Sequence, residues 1–232
     1  AAQVGVGNTQ PLSGLPEMIK KAKSQGRKIH FVPPYRGETY IQLESLLNIP
    51  VSEIRKSVSE ELIKGIVKLR SVKDDFEIAE IEKAVDIAYE MHTTSMRMAV
   101  PGRIEREIAG TIEGISLAKG GPVSFPIILS QNGETLHNHY HGNILTKGRM
   151  MVTDGGAETT MHYASDITRT VPVGGKFNQR QKDVYEIVLE ANMKTIEATK
   201  PGITNRELHM MAATIIASGL KDLGLMKGNV DD

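Results

Sequence analysis

The chain has 232 residues, 40% of them apolar, enough to bury a sizeable core in one large domain or two small ones. Its 28 lysines and arginines balance 28 aspartates and glutamates, so no net charge draws it to nucleic acid or to an anionic membrane. It has no cysteine, which excludes a disulfide framework and thiolate metal sites.

No apolar run nears the roughly 20 residues that cross a bilayer. The chain begins at Ala1 without a methionine or a basic-apolar leader, and is expected to be processed or a fragment. Leu15 to Ser24 reads as a short amphipathic helix, and Lys28 to Val32 as a strand stopped by Pro33-Pro34. Glu38 to Leu47 is helical text and Val51 to Ser57 extended text. This alternation is that of an α/β unit, too small to close a sheet by itself and expected to be the tail of a domain. His30 inside the first strand is expected to be a packed or edge histidine, not a ligand.

Glu60 to Leu69 is helical, and a new segment begins at Arg70, where Ser71 is the expected N-cap and Asp74 and Asp75 complement the helix dipole. Ile78, Ile81, Val85 and Ala88 recur at helical spacing, and the helix is expected to run to about Met98. Pro101-Gly102 breaks it. A further helix spans about Glu105 to Lys119 and stops at Gly120-Gly121. Strand-like pieces follow at Val123 to Leu129 and Thr135 to Tyr140. If Leu136 to Gly142 is extended, His137, His139 and His141 share one face, three of the seven histidines, with function and a solvated strand edge equally open. His92, His162 and His209 are assigned no role.

Met150 to Glu158 and Tyr163 to Thr170 read as two strands joined by a turn, each carrying an aspartate. Alternation puts Met150, Val152 and Asp154 on one face, an apolar face ending in a carboxylate. A second aspartate, Asp166, arrives from the paired strand and adds like-charge repulsion to the cost of desolvation. A divalent cation relieves both, and an oxygen-rich site suits Mn, Mg, Ca or Zn. Two readings remain beside it: turn-forming aspartates of an ordinary hairpin, and a structural ion pair with Arg169.

After Gly174-Gly175 a long helix spans Asn178 to Thr199. Pro201-Gly202 breaks it, and the capping box Thr204-Asn205-Arg206-Glu207 opens another helix that ends near Gly224. Shifted by one hundred residues, Pro101-Gly102 falls on Pro201-Gly202 and Arg106-Glu107 on Arg206-Glu207, the mark of an internal duplication.

Asp154-Gly155-Gly156-Ala157-Glu158, followed by Tyr163-Ala164-Ser165-Asp166-Ile167-Thr168-Arg169-Thr170-Val171-Pro172-Val173-Gly174-Gly175-Lys176-Phe177, resembles the pita-bread metallopeptidases. Within them the text is most similar to the aminopeptidase P and prolidase group. The resemblance implies an α+β fold, the pita-bread (creatinase/aminopeptidase) fold, incomplete here and preceded by the tail of an α/β N-terminal domain. Residues 1–69 would be the end of that creatinase-like domain, and residues 70–232 the first part of the catalytic domain. By the same resemblance Asp154 chelates one metal and Asp166 bridges two, with manganese the metal typical of the family. A metal-bridging hydroxide then attacks the peptide bond between an N-terminal residue and a following proline. His137 precedes Asp154 by the interval of the family's active-site histidine, with His139 and His141 as fallbacks, and Thr168 and Arg169 support the ligands.

Two departures from the pattern stand out. The family places ten residues between its aspartates, whereas Gly155 to Ser165 makes eleven, and an extra residue in the turn around Thr159 to His162 absorbs this most simply. The remaining ligands, one histidine and two glutamates, have no counterpart before Asp232, so the resemblance implies a chain truncated at both ends and inactive alone. Alternatives are a prolidase acting on dipeptides and a non-catalytic pita-bread binding module. Retention of both aspartates argues against the module and against metal-free hydrolysis. The expected partners are a peptide with proline second and a second copy of the chain, with no nucleic acid or membrane, and the expected compartment is cytoplasmic.

Overall fold

The computed structural model describes residues 5–230, which form two compact units that divide between Asp74 and Asp75. The first unit is helical: α1 (Leu15–Ser24), α2 (Gly37–Leu47), α3 (Val51–Ile54) with a 3-10 turn at Arg55–Ser57, and α4 (Glu60–Ser71). Asn48 ends α2 in the left-handed region, φ 56°. Ser59 caps α4, its hydroxyl accepting from Leu62 N at 3.2 Å. That hydroxyl also bonds His30 Nδ1 at 2.6 Å and donates to Glu61, so His30 is an exposed edge histidine held by the cap of α4.

Two expected strands of this unit do not form. Val51 to Ser57 is helical because Pro50 starts a turn there and Glu44 accepts from Val51 N, which outweighs the β-branched side chain. Among the described residues Lys28 to Val32 has no strand beside it; it is tied to the start of α4 by Ser59 N to Phe31 O, by His30 to the Ser59 hydroxyl and by an exposed Lys28–Glu61 ion pair. Ser71 is the last residue of α4, not the cap of the next helix, its hydroxyl donating back to Val67 O. The helix therefore runs through the expected boundary at 69/70, and the units divide at Asp74.

The second unit contains α5 (Asp75–Met98), α6 (Glu105–Lys119), β1 (Ile128–Ser130), β2 (Met150–Gly155), β3 (Ile167–Pro172), α7 (Gln179–Ala198) and α8 (Asn205–Asp222). The strands form an antiparallel sheet in the order β1-β2-β3. Ile87 and Met91 of α5 and Ile108 and Ile112 of α6 meet Leu129 and Met151 of the sheet in one buried cluster. Each such side chain contributes about 1.5–3 kcal/mol of burial, which makes this the platform under β2.

The buried face of β2 is Met151, Thr153 and Gly155, while Met150, Val152 and Asp154 are half-exposed. Met150, Val152 and Asp154 do share one face, as the alternation implies, and it is the face turned away from the core. Both faces of the strand carry apolar residues, so alternation tells which residues share a face but not which face the helices cover. Of Val123 to Leu129 only the end enters the sheet. Val123 bridges Ala157 and Ile128 pairs with Asp154, so five residue steps on one strand oppose three on the other, and Phe125-Pro126-Ile127 bulges out where Pro126 has no N–H for the ladder. Thr135 to Tyr140 forms turns: Asn138 Oδ1 accepts from Tyr140 N, and His137 stands at φ 52°.

The two stretches one hundred residues apart repeat in local geometry. Gly102 and Gly202 take φ 88° and 95°, and the turns close through Arg103 N to Val100 O and Ile203 N to Lys200 O. Glu107 then accepts from Ile104 N at 3.2 Å as Glu207 accepts from Thr204 N at 2.7 Å. The Thr204 hydroxyl and backbone N–H hold Glu207 below the usual carboxylate range.

Candidate metal centre

The pairing of β2 with β3 decides the geometry of the two aspartates. Asp154 pairs with Thr168 and Gly155 with Ile167, and the same register continues to the bridge between Glu158 and Ala164. Asp166 therefore lies opposite Gly156, just before β3, on the same face as Asp154 and diagonal to it. Diagonal neighbours stand about 7–8 Å apart, within reach of each other's carboxylates. Asp154 is half-buried and Asp166 exposed. The Thr168 hydroxyl donates to Asp154 Oδ1 at 2.7 Å, fixing that carboxylate from directly across the ladder.

Gly156 is what lets the strands meet between the two carboxylates. A Cβ there would stand 1.8 Å from Ser165 O and 2.6 Å from Ser124 Oγ. Ser124 ties the junction together: its N–H donates to Gly156 O and its hydroxyl to Ser165 O. The hairpin end is closed by Thr159 N to Tyr163 O and His162 N to Thr159 O, with His162 in the left-handed region at φ 65°. That is a three-residue connection with a left-handed residue, one longer than the tightest hairpin turn, at the place expected to take up the extra residue.

The ion pair considered for Arg169 is not formed. Arg169 has the opposite parity to the aspartates, and its Nη1 donates to Thr168 O. Among the described residues no basic group pairs with Asp154 or Asp166. Two like-charged carboxylates on one face with a hydroxyl and no cation are a donor set that fits a divalent metal. The set is partial, since no group of three or more histidines, aspartates or glutamates at ligand spacing occurs among the described residues.

The histidines part company. His137 is exposed in its left-handed turn. His141 donates Nδ1–H to Leu129 O at 3.0 Å, and with His139 and Glu113 it lines a separate cavity of about 460 Å³. The expectation that all three share the face of one extended segment fails because that segment turns instead of pairing.

Sequence reasoning passed over the supports behind β2. His92 is 4% exposed and donates Nε2–H to Gly155 O at 3.0 Å, while Ser95 and Thr153, both buried, share a hydrogen bond of 2.7 Å. These two links from successive turns of α5 bracket Asp154 from the core side. A signal was present, for Ser95 continues the buried stripe of Ala84, Ala88 and Met91 at helical spacing. Ser95→Ala strands the Thr153 hydroxyl in the core and is expected to cost about 1–3 kcal/mol in a denaturant titration. Unchanged stability would mean that the link holds nothing.

The profile of metallopeptidase family M24 matches residues 79–229. A probable Xaa-Pro aminopeptidase of Aspergillus clavatus is 36% identical over 191 residues, 78% of this chain and 40% of that protein. A variant of Escherichia coli aminopeptidase P in complex with substrate superposes with a TM-score of 0.80 at 27% identity, over 99% of this chain and 54% of that one. Aminopeptidase PepP of Pseudomonas aeruginosa gives 0.81 at 26% identity, over 99% and 53%. The chain thus spans about half the length, or less, of the proteins it matches, and its α+β fold is the pita-bread fold of aminopeptidase P. On this evidence the chain belongs to metallopeptidase family M24.

Proposed function

We propose that this chain belongs to a metal-dependent aminopeptidase that hydrolyses the bond between an N-terminal residue and a following proline. The observation that carries the reading is the pair Asp154 and Asp166, on one face of the sheet with no basic side chain paired to either among the described residues. The names of the relatives support the substrate class: Xaa-Pro aminopeptidase for the fungal proteins, aminopeptidase P for the bacterial ones. One solved Escherichia coli aminopeptidase P is zinc-substituted with product, and manganese is our choice of native metal.

Bound divalent cations supply a water of lowered pKa and polarise the scissile carbonyl. The residues of this chain do the holding. Asp154 and Asp166 are the ligands, Thr168 orients the first of them, and Gly156 brings the second strand close enough for the carboxylates to act on one site. His137 offers a ring N–H to the carbonyl oxygen as charge builds on it. Residues 1–69 are read as the end of an N-terminal domain, residues 70–232 as the first part of the catalytic one, and the activity is proposed for a protein of the relatives' full length.

Hydrolysis of tripeptides tests the reading. Manganese-loaded protein is expected to release the first residue of Xaa-Pro-Xaa and to leave Xaa-Ala-Xaa intact. Cleavage of Xaa-Pro dipeptides in preference would make it a prolidase, and no cleavage of either would leave a binding module.

A further inference from the structure

The loop between β1 and β2 carries His137. Its two stems are joined at the base by the Gln131 amide, which donates to Ile144 O at 2.8 Å and accepts from Thr146 N at 3.0 Å, and nearer His137 by the buried carboxylate of Glu105. We propose that Glu105 is a positioning residue: its buried carboxylate clamps both stems of the loop and thereby sets where His137 stands. This rests on the role given to His137 above.

Glu105 is the first residue of α6 and is fully buried, 0% exposed. No basic group pairs with it among the described residues. A buried carboxylate without a cation is costly unless donors surround it. Here Oε1 accepts from Ser130 Oγ at 3.1 Å and Gln131 N at 2.8 Å, and Oε2 accepts from Asn143 Nδ2 at 2.9 Å. The N-terminus of α6 adds its dipole. One oxygen thus holds the outgoing stem and the other the returning stem.

The backbone at the start of α6 reinforces the returning side. Glu105 N donates to Asn143 O at 3.0 Å and Arg106 N to His141 O at 2.9 Å. Between the stems the tip is held from outside, among the described residues, only on its outgoing side, where Arg149 donates to Asn132 Oδ1 at 2.8 Å and stands 4.0 Å from Glu134. Thr135 N bonds Asn132 O and Tyr140 N bonds Asn138 Oδ1, both inside the loop, and His137 is exposed. The position of the tip therefore follows from the stems, and a carboxylate, with two accepting oxygens, is the group that can take both.

The charge pattern allows a swap. Glu105→Gln turns an amide NH₂ toward the NH₂ of Asn143, donor against donor, and Asn143→Asp in the same protein restores a donor–acceptor pair. Hydrogen exchange of residues 131–143, kcat and KM on an Xaa-Pro-Xaa peptide, and manganese affinity are to be measured on the full-length protein as wild type, E105Q and E105Q/N143D. Expected are faster exchange of the loop and a loss of kcat on the order of 10- to 100-fold in E105Q, with KM and manganese affinity unchanged. The double variant is expected to recover most of both. Unchanged loop exchange in E105Q, altered exchange without a change in kcat, or parallel loss of kcat and manganese affinity would overturn the proposal. If E105Q does not fold, Asn143→Ala, which removes one donor only, is read by the same criteria. If the unaltered protein cleaves no Xaa-Pro peptide, the functional reading fails, and loop exchange in E105Q alone decides the clamp.

Discussion

Asp166→Ala is expected to reduce the manganese bound by the full-length protein from two ions to at most one and to abolish turnover. The reason lies in the register. Asp166 faces Asp154 diagonally across the β2–β3 pair, so it is the one carboxylate from the second strand that can reach a cation held by the first. Alanine removes the ligand without disturbing the fold, because Asp166 is exposed and makes no ion pair among the described residues. Metal content after gel filtration, together with peptide hydrolysis, reads both effects. Two bound ions with near-normal hydrolysis would sink the assignment of Asp166.

Gly156→Ala is expected to be the most destabilising single substitution in the hairpin. Its Cβ would sit 1.8 Å from Ser165 O and 2.5 Å from Ser165 C, backbone atoms that cannot rotate away. Relief requires the strands to part between the two aspartates, at a cost of roughly 3–5 kcal/mol in stability and the loss of the metal-binding geometry. The neighbouring glycine is an internal control. At Gly155 the added Cβ meets Ile127 Cγ1 at 3.6 Å and Met91 Cε at 3.9 Å, ordinary contact distances. Gly155→Ala is expected to shift Tm by only a few degrees, whereas Gly156→Ala leaves little folded protein. Similar melting temperatures for the two variants would refute this account of the junction.

The helices were legible in the sequence because their ends are marked chemically. Pro101-Gly102 and Gly120-Gly121 bracket α6, and Thr204 with Glu207 opens α8, so those boundaries follow from caps and breakers. The strands were less so. Val51 to Ser57 and Thr135 to Tyr140 have strand-like composition, yet Pro50 turns the first into a helix and Asn138 folds the second into a turn. Strand propensity is realised only beside a partner, and neither segment has one among the described residues.

The same distinction applies at the site. Asp154 and Asp166 were visible because two carboxylates in strand-like text are hard to satisfy without a cation. That they share a face needed the register, which one residue of slip would have reversed. The three histidines were grouped by an alternation that the chain does not adopt. Glu105 was read only as the start of a helix, since a carboxylate at a helix N-terminus is ordinary until its partners are known.

Anomalous diffraction at the manganese edge, from crystals of the full-length protein grown with manganese, tests the central claim most directly. The account predicts a peak touching both Asp154 and Asp166 and a second touching Asp166. Peaks elsewhere, such as beside His139 and His141, or none at all with manganese in excess, would contradict it.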